Sequence, residues 1–258
     1  MPQRLKLIVA YNGTAFAGWQ SQTHRNTVQD HLERAFRHVG GERVHIHGAG
    51  RTDAGVHALG QSAHVDLSGR RFSPARWTGA LNALLPPAIR ILRCQYVTQD
   101  FHARFSAKGK VYRYRIWSAP ILPPLEFGRV WHIPASLDVD ILKAAAEKFI
   151  GTHDFAAFGV NRGKSANRTD SSRGEPEASN IRTIYSVRVQ RKGPCLAIEF
   201  FGNGFLYKMV RLMIGTIVRA SLDKMTVAEI VRQLSLGQST GARFVAPAQG
   251  LFLVRVWY

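Results

Sequence analysis

Arg4 to Tyr11, polar and apolar by turns up to Leu7 and apolar from there to Tyr11, reads as a strand, and Asn12-Gly13 closes it as a turn. The period changes to that of a helix at Thr27 to Val39, where Val28, Leu32, Ala35, Phe36 and Val39 share one face and Thr27 with Asp30 forms a variant capping box. Alternation returns at Arg43 to Ala49 and again at Gln61 to Leu67. Pro74 to Leu84 reads as a helix with proline in its first turn, Ser73 as cap, and Pro86-Pro87 as stop. Ile89 to Val97 is a further strand.

The second half repeats this order. Lys110 to Trp117 is a strand, Leu137 to Ile150 a helix capped by Ser136, and Ile181 to Gln190 and Pro194 to Gly202 are strands joined by a turn at Lys192-Gly193. Helices follow at Tyr207 to Ala220 and Val227 to Leu234, and a last strand at Leu251 to Trp257. Strand, helix, strand, strand, helix, strand, given twice, is the split β-α-β pattern of the ferredoxin-like unit. The expected fold is therefore α+β: two such domains, residues 1–104 and 105–258, divided where Asp100 to Lys108 breaks the pattern. Asn161 to Asn180 is polar and carries Arg162, Lys164, Arg168 and Arg173; it reads as a loop, either solvated or in contact with RNA.

Charge narrows the range of partners. Among 258 residues, 35 Lys and Arg oppose 17 Asp and Glu, a net charge of +18. Such a field gathers polyanions, so nucleic acid is the expected partner. No basic amphipathic helix favours a membrane surface, and no apolar run approaches the length of a membrane span. Two cysteines, Cys94 and Cys195, are too few for a disulfide framework or a four-sulfur zinc site. Together with an N-terminus lacking a signal-peptide pattern, they point to the cytoplasm.

The candidate chemistry lies in Gly48-Ala49-Gly50-Arg51-Thr52-Asp53-Ala54-Gly55-Val56-His57-Ala58. It presents one carboxylate in a loop of small residues, with Arg51 two positions before it. Asp53 is either a reactive group or the cap of a turn. A dinucleotide fingerprint would need glycine where Asp53 stands, and a phosphate loop would need Gly-Lys-Ser/Thr. His45, His47, His57 and His64 lie close in sequence but lack a zinc-ligand spacing, so no metal is expected. Arg211 sits in a mostly apolar helix, sharing a face with Lys208, Gly215 and Arg219; it either snorkels or points into a cleft.

The loop string resembles the hallmark of the tRNA pseudouridine synthase A family, with the catalytic aspartate at Asp53. The resemblance runs over nearly the whole chain. Tyr11-Asn12-Gly13 and Gly18-Trp19-Gln20 are similar to N-terminal signatures of the family. Phe101 to Ala107 is similar to the segment entering its second domain. Tyr112 matches the active-site tyrosine, Phe205 to Arg211 resembles the stretch ending in the active-site arginine, and Arg182-Thr183-Ile184 and Gly250-Leu251 match further signatures. Asn12 replaces the usual aspartate, and 161–180 has no counterpart.

The resemblance implies an isomerase that turns uridine into pseudouridine at nucleotides 38, 39 and 40 of the tRNA anticodon stem-loop. It further implies no metal or organic cofactor, a homodimer, and two joined sheets with the active cleft between domains. Asp53, Arg51, Tyr112 and Arg211 would be catalytic; Tyr112, Arg51, Arg211, Lys208, Gly250 and Leu251 would bind substrate. The carboxylate would attack C6 of the base, attack C1′ of the sugar, or remove a sugar proton. The rival readings are a non-catalytic RNA-binding protein, which leaves Asp53 unexplained, and an isomerase of another RNA.

Overall fold

The structure is a computed structural model that describes residues 3–23, 26–69, 72–160, 179–237 and 244–258. Along the chain run β1 (Gln3–Tyr11), α1 (Val28–Gly40), β2 (His47–Gly48), β3 (His57–Leu67), α2 (Pro74–Leu84), β4 (Ile89–Val97) and β5 (Gly109–Trp117). They are followed by β6 (Trp131–His132), α3 (Val139–Glu147), β7 (Gly151–Asp154), β8 (Ile181–Lys192), β9 (Cys195–Gly202), α4 (Met209–Ser221), α5 (Val227–Leu236) and β10 (Leu251–Trp257). The architecture is α+β. Nearly all of the loop expected at 161–180 falls outside the described residues.

The chain forms two compact units, Met1–Arg113 with Ala248–Tyr258, and Tyr114–Pro247. In the first unit the strands run β4-β1-β3, with β2 pairing antiparallel to the far end of β3 and β10 pairing parallel to its start. The order 4-1-3-2 is that of the ferredoxin-like unit read from the sequence. Leu5, Leu7 and Val9 alternate into the core of β1, as a strand with one buried face must. The core also holds Leu32 and Phe36 of α1 and Trp77 and Leu81 of α2, with the Phe36 and Trp77 rings 5.2 Å apart.

Two expected elements differ. The strand expected over Arg43 to Ala49 shrinks to His47–Gly48. One reason is visible at Ile46, whose backbone N–H donates to the Glu33 carboxylate at 3.0 Å rather than to a neighbouring strand. Conversely, β3 begins at His57, four residues before its expected start.

In the second unit the sheet contains β9, β8 and β7 beside the last part of β5, with β6 also on β5. Tyr114, Ile116, Ile184, Leu196, Ile198 and Phe200 line its buried face with Leu142 of α3 and Met213, Ile214 and Ile217 of α4. Helix α3 starts three residues after the expected cap. Asp138, not Ser136, accepts from the N–H groups of Asp140 and Ile141, because a carboxylate satisfies two orphan donors there and favours the positive helix end.

Candidate active site

The loop from Ala49 to His57 is built by hydrogen bonds to its own backbone from remote parts of the first unit. Ala49 N–H donates to Ser62 O at 2.8 Å, and Trp19 N–H donates to Thr52 O at 3.1 Å. Gly18, at φ 93°, lies so close that a Cβ there would stand 2.5 Å from Thr52 O. The Gly18-Trp19-Gln20 signature is thus the floor of the Asp53 loop, and Gln20 Oε1 accepts from Arg51 Nε at 3.2 Å. Val56 N–H donates to Asp53 O at 3.1 Å, closing a turn with Gly55 at φ 78°. Ala54 keeps a negative φ, so this is the type II turn, which requires glycine at its third position. Asp53 opens that turn and is half-buried.

Three side chains outside the loop reach into it. Lys110 Nζ donates to Ala49 O at 2.8 Å, Gln61 Nε2 donates to Gly50 O at 2.7 Å, and the Tyr11 hydroxyl pairs with Thr52 Oγ1 at 2.8 Å. Lys110 and Gln61 were not singled out from the sequence, and Tyr11 only as the first residue of a family signature. Lys110 carried one signal: it stands two positions before Tyr112, on the same face of β5. His57 is a satisfied core histidine. Gly13 N–H donates to its Nδ1 at 3.0 Å, so Nε2 carries the proton and donates to Gln249 O at 3.1 Å. That bond ties the loop to the turn holding Gly250 and Leu251, both buried, and Ala248 packs against Gly55.

The structure brings Asp53 and Tyr112 together. Tyr112 is buried, and a methyl group placed on Gly50 would stand 3.9 Å from its hydroxyl. Burial first, then the neighbouring Tyr11 and Asp53, push its pKa well above the usual phenol range. Tyr112 is therefore a neutral phenol beside a carboxylate.

In the second unit, Arg211 lies in the first turn of α4. Its Nε donates to Ala246 O at 2.7 Å, and Ala246 N–H donates back to Arg211 O at 3.1 Å. Lys208 precedes α4 in the left-handed region at φ 60°, a strained place for a lysine, with its ammonium 5.2 Å from the centre of the Tyr207 ring.

The histidines weighed as metal ligands pack as rings. His47 stacks on His64 at 4.9 Å, and His102 meets His64 edge-on at 4.6 Å. Among the described residues no group of three or more His, Cys, Asp or Glu side chains could hold a metal ion. Nor is any helix of the described residues long and apolar enough to cross a membrane.

Comparison with known proteins gives the same picture. A family model described as tRNA pseudouridine synthase matches residues 7–106 and 145–258. The tRNA pseudouridine synthase A of Akkermansia muciniphila is 48% identical, covering 99% of this chain and 95% of that protein. The proteins of that name from Acetivibrio thermocellus and Geobacillus kaustophilus are 40% and 41% identical, covering 99% and 100% of this chain and 100% and 95% of theirs. With the Asp53 loop, its glycine floor and Tyr112 set as described, the chain belongs to the tRNA pseudouridine synthase family.

Proposed function

We propose that this protein isomerises uridine to pseudouridine at positions 38, 39 and 40 in the anticodon stem-loop of tRNA, with Asp53 as the reacting carboxylate. What supports the reading is the anchored turn that Asp53 opens, with the buried phenol of Tyr112 against Gly50 of the same loop.

The reaction exchanges one bond for another. The C1′–N1 bond of uridine breaks, C1′ joins C5, and the proton on C5 ends on N1, so atoms and electrons balance without an oxidant or reductant. A carboxylate serves this chemistry as a nucleophile toward C6 or C1′, or as a base toward a sugar proton. A stacked base is out of reach, so the nucleotide must leave the helix. Unstacking costs a few kcal/mol, and stacking on an aromatic ring returns about 1–3 kcal/mol. Tyr112 is our platform for the extruded base. Arg51 takes a phosphate or fills the gap left by the base. Arg211 and Lys208 supply cationic contacts to the substrate, and Gly250 and Leu251 backbone and apolar ones.

We place the enzyme in the cytoplasm as a homodimer. The second part of that reading is supported by the exposed apolar side chains Ile121, Leu125 and Phe127. The test is pseudouridine formation in unmodified tRNA carrying uridine at 38–40, with chelator present, comparing wild type with Asp53→Ala. We expect product from wild type alone. Product from both would remove Asp53 from the chemistry; tRNA binding without product from either would favour the RNA-binding reading.

A further inference from the structure

We propose that Gln61, acting with Tyr11, is a positioning residue for the isomerisation, one that sets the backbone on both sides of Arg51 and so aims Asp53. The inference rests on the assignment of Asp53 above.

Gln61 is fully buried in β3. Its amide nitrogen has two hydrogens and no acceptor capacity. One goes to Gly50 O at 2.7 Å, which fixes the orientation of the amide. Beside it lies the buried Tyr11 hydroxyl, which burial keeps neutral by driving its pKa far upward. That hydroxyl pairs with Thr52 Oγ1, 2.8 Å away. The buried amide thus holds Gly50 and the buried phenol holds Thr52. These are the residues on either side of Arg51, and Thr52 is the residue before Asp53.

The other end of the side chain supports this reading. Gln61 Oε1 is buried and meets no hydrogen-bond partner among the described residues. An orphaned acceptor costs stability, and an apolar side chain of similar size would avoid that cost. The amide is therefore present for its bond to Gly50 O. Lys110 adds a third anchor at Ala49 O, so Ala49, Gly50 and Thr52 are all held before the carboxylate arrives. Positioning of this kind affects turnover more than binding, because small displacements of a reacting group are costly in the transition state.

The experiment compares wild type, Gln61→Met, Gln61→Glu and Tyr11→Phe in kcat and KM for unmodified tRNA across pH, with amide hydrogen exchange of the 49–56 segment alongside. For Gln61→Met and Tyr11→Phe we expect kcat to fall about tenfold to a hundredfold with KM within about twofold, and faster exchange in 49–56. Gln61→Glu carries the distinguishing readout. Its carboxylate has no donor and its protonated acid has one, so its activity relative to wild type should rise as pH falls. That pH rescue also keeps the idea testable if Gln61→Met does not fold. An unchanged kcat, a raised KM at constant kcat, or a Gln61→Glu ratio flat across pH would overturn the proposal. A wild type that makes no pseudouridine would sink the assignment of Asp53 instead, while unchanged exchange in Gln61→Met would sink the positioning role on its own.

Discussion

His64 is a buried imidazole beside two others. Its Nδ1 accepts from Ala103 N–H at 3.1 Å, and burial, then His102, His47 and Arg4, push its pKa down to about 3, against a small opposing pull from Asp66. The sign of the linkage follows. Below the ordinary imidazole value of about 6.5 the unfolded chain takes up a proton that the folded one refuses. His64 therefore costs nothing above about pH 6.5, and stability falls by up to about 1.4 kcal/mol per pH unit as the pH drops from there toward 3. Urea denaturation between pH 6.5 and 5.5 should show this slope before the unfolded chain begins to protonate Asp30, Glu33 and Asp66, whose pKa values are held low in the folded protein and which add to the loss at lower pH. His64→Asn should flatten much of it, leaving the share of His31, which burial and Arg34 also hold low. An identical slope in the variant would show that the ring cluster is not strained by protonation. At this scale the sequence made the small-residue loop around Asp53 legible, and the structure builds it as an anchored turn. The sequence was silent on Gln61 and Lys110, because their partners are backbone carbonyls that only the folded sheet brings within reach.

Helix α1 carries the capping box that its sequence suggested: Thr27 accepts from Asp30 N–H while the Asp30 carboxylate accepts from Thr27 N–H at 3.2 Å. Thr27 is fully buried, so Thr27→Ala should cost about 1–2 kcal/mol, read as a lower melting temperature with no shift in tRNA affinity. A loss below about 0.3 kcal/mol would mean that water or a neighbour replaces the cap. Elements with such local signals were readable: Ser73 with Pro74 opens α2, and the alternation of β1 gives its buried face. The exceptions were decided by distant groups. Glu33 on α1 takes the N–H of Ile46 and shortens β2. Lys208 takes a left-handed backbone just before α4, which no helix propensity foretells, and the helix starts at Met209 instead of Tyr207.

Over the whole molecule the excess of 35 basic over 17 acidic residues is the largest electrostatic fact. If these side chains meet RNA phosphates, log Kd for tRNA should change with log salt with a slope of about 4 or more, since each contact contributes about 0.7–0.9. A slope near 1 would place most of the charge away from the RNA. The order of the first unit, 4-1-3-2, was readable because each strand and helix declares itself locally. The place of the last strand was not, since its pairing with His57 and Ala58 is a matter of tertiary arrangement. That pairing governs when a newly made chain becomes competent. The bond from His57 to Gln249 spans 192 residues, and β10 completes the sheet beside the Asp53 turn. A ribosome must therefore carry translation through β10, and its exit tunnel must release that segment, before the turn gains its last support. A nascent chain, though long since carrying its aspartate into solution, would remain a spectator among the tRNAs that surround its own synthesis.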